Sequence, residues 1–252
     1  MKKIKVLMIL LLIGGHSINT FSQSSLFSFE KYTNAKGETL QYRQLFSDYD
    51  TISKYPLVIF LHGSGERGDD NEAQLKWGAQ NFASNQNMKM NRAIVIAPQC
   101  PKNTSWGNYS YEDMSLQPTP TKTMELLIEL IQETIQNLPV DPNRVYITGL
   151  SMGGFGTFDA ISRYPDLFAA AVPICGGGDV KKATSIVHIP MWIFHGALDN
   201  TVAPELSQNM VKALMEAGGH PGYTQYPLAG HFSWVAAYDD DMMMDWLFSQ
   251  KK

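Results

Sequence analysis

Cysteine is scarce: the 252-residue chain holds two, Cys100 and Cys175. A disulfide-built scaffold is therefore excluded, because such frameworks carry several bridges in a short chain. One bridge is the most these residues allow, and it would require an oxidising compartment. Both cysteines follow apolar runs that read as strands, so both are expected at the same sheet end; the other reading is two small buried thiols. Charge is sparse as well. Charged residues make up 17% of the chain and the net charge is -4, with no block of one sign. The basic face that a nucleic-acid partner requires is missing. No two histidines stand i, i+4 with an acid between them, so neither a zinc site nor any other metal is expected. Repeats, linkers and low-complexity runs are absent too, and a single catalytic-size domain over 24–252 is the simplest division.

What is present is an ordinary globular composition. Hydrophobic residues make up 44% of the chain, enough for one sizeable core. The N-terminus stands apart. Lys2, Lys3 and Lys5 precede a short apolar run over 6–13, and small polar residues follow up to Ser22. This is the pattern of a secretory signal peptide over 1–22, and it points to a periplasmic or secreted protein. The run is too short to span a bilayer comfortably. No cysteine follows it, so no lipid anchor is expected there, and no membrane span is expected once the leader is gone.

The remainder alternates between two periodicities. Segments 27–32 and 40–46 read as antiparallel strands joined by the turn-forming 34–37. Continuous apolar runs at 57–61, 93–97 and 190–194 suit strands buried on both faces of a parallel sheet. Further strands are expected at 145–149, 167–174 and 222–227. Helices are expected over 71–82, 123–138, 204–217 and 234–248. The second shows Met124, Leu127, Ile128, Ile131 and Ile135 on one face. A long loop over 101–120 carries Trp106, Tyr109 and Tyr111. Two leading strands followed by alternating strands and helices predict an α/β fold, a mostly parallel doubly wound sheet with antiparallel N-terminal strands. Ligands of such sheets gather at the carboxyl ends of the strands, and each polar motif below lies at one.

The sharpest of these motifs is Gly149-Leu150-Ser151-Met152-Gly153, which follows a β-branched apolar run and precedes a helical segment. That context is a nucleophile elbow: a turn tight enough to need small residues two positions either side of the serine. It lifts the Ser151 hydroxyl clear of the sheet and sets the Met152 N–H beside it as an oxyanion donor. A serine hydroxyl needs a base, and the base needs an orienting acid. His231, after the last strand, is the candidate base. Asp199, in a turn after the strand at 190–194, is the candidate acid, with Asp179 as its rival. His62 and His195 end strands beside glycines and read as loop-orienting residues. The Gly63-Ser64-Gly65 loop can supply a second oxyanion donor, with Ser64 the first choice and Gly63 behind it. Glu66, Arg67, Asp70 and Asn71 would brace that loop. Trp106 and Trp234 are the candidates for stacking on substrate, with packing as the alternative for each.

Taken together, the elbow, His62-Gly63-Ser64-Gly65-Glu66-Arg67-Gly68, Ala97-Pro98-Gln99-Cys100-Pro101, Cys175-Gly176-Gly177-Gly178, His195-Gly196-Ala197-Leu198-Asp199 and Gly230-His231-Phe232-Ser233-Trp234 come in a familiar order. From residue 57 onward the chain resembles serine carboxylesterases of the α/β-hydrolase superfamily. The group concerned includes feruloyl and acetylxylan esterases and polyhydroxybutyrate-depolymerase-like enzymes. The resemblance implies Ser151 as nucleophile, Asp199 as acid, His231 as base, an ester substrate and no cofactor. Short connections after Cys175 and Asp199 leave no room for a lid domain. An open site on a secreted protein points to feruloyl or acetyl groups on plant polysaccharide. A prolyl-oligopeptidase-like peptidase, an acyltransferase and a non-catalytic carbohydrate-binding protein are the alternatives on the same fold. Neither the exact acyl group nor the oligomeric state is written in the motifs.

Overall fold

The computed structural model describes residues 23–46, 52–110 and 112–252. The expected leader over 1–22 lies outside the described residues, as does Tyr111. The first two strands, β1 (Phe27–Thr33) and β2 (Thr39–Leu45), form the expected antiparallel hairpin. They are followed by β3 (Tyr55–Leu61), a short helix α1 (Asn85–Met90), β4 (Ile94–Pro98), α2 (Lys122–Asn137) and β5 (Val140–Leu150). Then come α3 (Met152–Arg163), β6 (Ala170–Ile174), α4 (Ala183–Ile186), β7 (Trp192–Gly196), α5 (Glu205–Glu216) and β8 (Gly222–Tyr226). Two helices close the chain, α6 (Trp234–Tyr238) and α7 (Asp241–Ser249).

The strands form one eight-stranded sheet in the order β1-β2-β4-β3-β5-β6-β7-β8, parallel from β4 onward. This is the α/β-hydrolase fold. The apolar runs explain the two layers beside the sheet. Successive strand side chains point to opposite faces, so Leu57, Ile59 and Leu61 pack on one core with α2 and α5, while Val58 and Phe60 enter another with Trp234 and α7. All seven residues of β3 are buried. Its register with β5 shifts between Tyr55 and Leu57, at Pro56, which has no amide to give to the ladder. The Thr121 hydroxyl caps α2 by accepting from the Met124 amide.

Two helices expected from the pattern are broken. Over 71–82 the chain makes two short 3-10 turns, Ala73–Leu75 and Ala79–Ala83. Gly78 between them has φ of 70° and lies hard against the Tyr238 ring, a left-handed position that no helix accommodates. The final helix splits at Asp239 and Asp240, where the Asp240 carboxylate caps α7 by accepting from the Met242 amide. The predicted strand at 167–174 begins only at Ala170, because Pro165–Leu167 makes a 3-10 turn.

The two cysteines are buried and free. Cys100 follows β4 and Cys175 follows β6. In the strand order β3 and β5 stand between them, so they are three strand spacings apart, about 14 Å, against the roughly 7 Å limit of a disulfide. Their positions at the same sheet end do not make them neighbours.

The tightest packing in the sheet is at the elbow. A Cβ on Gly153 would collide with the Leu61 carbonyl oxygen, and one on Gly149 with the Gly153 carbonyl. A Cβ on Gly65 would meet nothing within 4 Å. Gly153→Ala is therefore expected to cost about 2–4 kcal/mol, which lowers Tm by roughly 5–15 °C. Gly65→Ala is expected to shift Tm by no more than about 2 °C. Thermal unfolding of both variants checks the pair, and equal shifts would contradict this account of the turn.

Candidate active site

β5 carries the chain straight into Ser151, which caps α3 with φ of 53° and ψ of -117°. A non-glycine residue rarely adopts such angles, and the surrounding structure must hold it there. Two things do: the Gly153 contact with β3, and the Ser151 amide, which donates to the Ile174 carbonyl at the end of β6 (2.9 Å). The turn leaves the Met152 N–H as the first amide of α3, and the first amides of a helix have no partner within it.

His231 and Asp199 arrive from the neighbouring strand ends. His231 Nε2 lies 2.9 Å from Ser151 Oγ, and His231 Nδ1 lies 2.7 Å from Asp199 Oδ2. The other carboxylate oxygen of Asp199 accepts from the amides of Thr201 (2.8 Å) and Val202 (2.9 Å). Burial pushes the Asp199 carboxyl up, but the His231 bond and these two amides outweigh it and hold it below the ordinary carboxylate range. Asp199 is thus an anion fixed at both oxygens. The rival acid, Asp179, spends its two oxygens on the amides of Lys181 (2.9 Å) and Leu116 (3.1 Å); it ties the long loop to the turn after β6.

His195 stands behind this group. Its Nε2 faces the Val202 carbonyl at 3.0 Å and Asp199 Oδ2 at 3.3 Å. Both are acceptors, so Nε2 carries a proton and becomes a further donor to the carboxylate. Burial lowers the pKa of this imidazole and favours its neutral form. The Cys175 thiol is also close: its sulfur, a carboxylate oxygen of Asp199 and a ring nitrogen of His231 lie within 4.8 Å of one another. Asp199 and His231 are already hydrogen-bonded to each other.

The loop after β3 forms the opposite wall. His62 is buried and accepts the Cys100 amide at Nε2 (2.9 Å), so its proton sits on Nδ1 and goes to the Gly63 carbonyl (2.6 Å). Burial pushes the His62 pKa down to about 4, which keeps that tautomer neutral. Arg67 donates to the carbonyls of Ser64 (3.0 Å) and Thr104 (3.1 Å). Asp70 accepts from the amides of Glu72 and Ala73. Gln99 bonds both Asp70 and the Asn71 amide. The bracing expected of this charged motif is therefore present.

Between the walls lies a cleft of about 240 Å³, lined by Gly63, Ser64, Glu66, Ser151, His231 and the aromatic group Trp77, Phe232 and Trp234. Ligand pockets for drug-sized molecules run from about 300 Å³, so this cleft is smaller than those. The aromatic faces meet edge to face or tilted, with Phe232 and Trp234 centroids 4.7 Å apart, Trp77 and Phe232 5.8 Å, and His231 and Trp234 5.1 Å.

Trp106 needs correction. It is 0% exposed, and its indole donates to the His62 carbonyl at 3.0 Å. A ring with no exposed face cannot stack on a ligand. It packs beneath the Gly63-Ser64-Gly65 loop because the long loop folds back into the sheet end, held by Asn108 on Asp159 and by Arg163 on the Gln117 and Pro118 carbonyls. Trp234 lines the cleft but is only 5% exposed, so its role is mostly packing against His231. The exposed ring is Phe232, at 60%. Sequence reasoning passed over it and Trp77. Adjacency to His231 was the available signal for Phe232. Trp77 had none, because its placement depends on the broken helix at Gly78.

Known proteins match this arrangement at several levels. A poly(3-hydroxyalkanoate) depolymerase C of Paucimonas lemoignei is 29% identical over 182 residues, 70% of this chain and 41% of that protein. A probable acetylxylan esterase A of Neosartorya fischeri is 30% identical over 137 residues, 52% of this chain and 34% of that protein. Among solved structures, a thermostable esterase superposes with a TM-score of 0.85 at 40% identity, covering 91% of this chain and 64% of that one. The chain thus spans less than two thirds of the length of each of these relatives. The phospholipase/carboxylesterase family matches residues 51–244, a stretch that holds Ser151, Asp199 and His231, and the chain belongs to that family.

Proposed function

We propose that the protein is a serine carboxylesterase that works through an acyl-enzyme. The observation that carries this reading is the relay itself: Ser151 Oγ to His231 Nε2 at 2.9 Å, and His231 Nδ1 to Asp199 Oδ2 at 2.7 Å, at the mouth of a cleft. Ser151 Oγ attacks the ester carbonyl while its proton passes to His231 Nε2. Asp199 keeps the Nδ1 proton in place and stabilises the imidazolium that forms. The amides of Met152 and Ser64 receive the charge that develops on the carbonyl oxygen. His231 then gives its proton to the leaving alcohol, and the same base activates water to release the acid.

The size of the cleft and its aromatic wall favour a short or single-ring acyl group, such as acetyl or a hydroxycinnamoyl unit. A leaving alcohol on a plant polysaccharide fits the open side. Between β6 and β7 stand only a 3-10 turn, Val180–Lys182, and the four-residue α4, and between β7 and β8 only α5; none of these lines the cleft. The name of the acetylxylan esterase relative agrees with such a substrate, and the leader-like N-terminus agrees with a periplasmic or secreted location.

Ser151→Ala is expected to cut turnover of p-nitrophenyl acetate by at least about 10³-fold with the fold retained, since triad members act as a unit. Asp199→Asn should lose on the order of 10²–10⁴-fold, through the wrong histidine tautomer, and Asp179→Asn only a few-fold; the reverse ranking would reassign the acid. For the aromatic wall, Phe232→Ala should lower kcat/KM for methyl ferulate by about tenfold relative to p-nitrophenyl acetate. Trp106→Ala should lower Tm with no change in that ratio. Parallel kinetics on the two esters decide, and a selectivity change from Trp106 alone would contradict the assignment.

A further inference from the structure

We infer that His195 is a positioning residue for Asp199: its Nε2–H, kept on that nitrogen by Ser207, holds the carboxylate and its turn in the orientation that His231 needs. The inference rests on the serine-esterase reading above. His195 lies near the end of β7, and Asp199 follows in the turn that leaves the strand. Both side chains are buried. His195 Nε2 lies 3.0 Å from the Val202 carbonyl oxygen and 3.3 Å from Asp199 Oδ2. The ring therefore reaches the acid by two routes. Directly, it faces the same oxygen that accepts from His231 Nδ1 at 2.7 Å. Indirectly, it holds Val202 by the carbonyl, and the Val202 amide donates to Asp199 Oδ1 at 2.9 Å. Rotation of the carboxylate would break contacts at both of its oxygens.

The far side of the ring sets its proton. His195 Nδ1 lies 2.7 Å from Ser207 Oγ in α5, and that hydroxyl lies 2.9 Å from the Gly176 carbonyl oxygen. Burial favours the neutral imidazole, which carries one N–H. With the proton on Nδ1, a bare Nε2 lone pair would face two acceptors in a buried site, a costly arrangement. With the proton on Nε2, both acceptors are served, and the Ser207 hydroxyl turns its single proton to Nδ1. The order Ser207, His195, Asp199 thus repeats behind the carboxylate the order Ser151, His231, Asp199 in front of it, with the two ring nitrogens exchanged. The rear set is not a second nucleophile, because Ser207 is 0% exposed. Its effect is on the acid: the front histidine needs a carboxylate fixed against Nδ1–H while the proton of Ser151 crosses to Nε2.

Two amides separate this role from packing. The glutamine side chain is long enough to put an N–H donor where the ring has Nε2; asparagine reaches only as far as Nδ1. With p-nitrophenyl acetate, His195→Asn is expected to lower kcat by about 5–30-fold with KM within about threefold, a smaller loss than that of Asp199 itself. His195→Gln should restore kcat to within about threefold of wild type. Because His195 acts through Asp199, its removal should matter little once that carboxylate is gone: in an Asp199→Asn background, His195→Asn should change kcat by less than about twofold. The tautomer is read on the wild-type protein, without any variant that must fold. Nitrogen-15 NMR of histidine-labelled protein, with the His195 signals assigned by their loss in His195→Gln, should show the ring proton on Nε2.

Active-site titration normalises each rate to folded sites. A per-site kcat for His195→Asn within about twofold of wild type would overturn the inference. So would equal losses in His195→Asn and His195→Gln, which would mean packing alone, or the full His195→Asn loss repeated in the Asp199→Asn background. A neutral ring with its proton on Nδ1 would overturn it independently of any rate. Ser151→Ala is measured alongside. If that variant keeps its turnover, the esterase reading fails and this inference falls with it; if it is inactive while His195→Asn behaves as wild type, only the role of His195 is refuted.

Discussion

At the end of β3 the Leu61 carbonyl oxygen and α3 approach so closely that residue 153 can carry no Cβ. Every functional element of the molecule is placed relative to that contact. It holds Ser151 at φ of 53° and so aims the hydroxyl out of the sheet. It also fixes where β3 ends, and the loop from His62 to Arg67 starts there. Ser151 and the loop that faces it are set by one packing contact between a strand end and a helix start. The parallel register of β5 with β6, and of β7 with β8, then brings Asp199 and His231 in from the other side.

Beneath the site, the buried side chains of His62, His195 and Trp106 have their hydrogen bonds made. His62 and His195 are neutral because burial penalises their charged forms. The direction of each proton follows from its surroundings: Cys100 fixes the tautomer of His62, and two facing acceptors fix the Nε2 proton of His195. Such a layer is sensitive to acid. The folded-state pKa of His62, about 4, lies below the ordinary value of 6.5. As pH falls from about 6.5 toward 4 the unfolded chain takes up a proton here that the folded chain refuses. Stability at this position is intact above that window and declines through it, by on the order of 3 kcal/mol at most. Trp106 belongs to the same layer. It supports the loop from below, which is why a large aromatic side chain in a long loop near the serine does not meet substrate.

The strands, their order of appearance and the elbow were legible in the residues because they rest on local rules. β3 is a continuous apolar run, and Gly149 and Gly153 flank the serine at the spacing a tight turn needs. Relations that depend on where distant strands come to rest were not legible. Cys100 and Cys175 share a sheet end, but the separation of β4 from β6 depends on strand order, which no local pattern contains. The helix expected over 71–82 has the composition of one, yet Gly78 must take positive φ to clear Tyr238, which is 160 residues further along the chain. The same break carries Trp77 to the cleft and leaves it unmarked in sequence.

On the proposed mechanism Ser151 alone is the activated hydroxyl of this cleft, and covalent labelling tests that most directly. The protein is treated with a fluorophosphonate ester at neutral pH and digested, and the adduct is located by mass spectrometry. The account predicts one adduct per chain, on Ser151, with loss of esterase activity in step with labelling; Ser64, in the same cleft, should stay unmodified. Labelling at another residue with Ser151 free, or full labelling of Ser151 with activity retained, would contradict it.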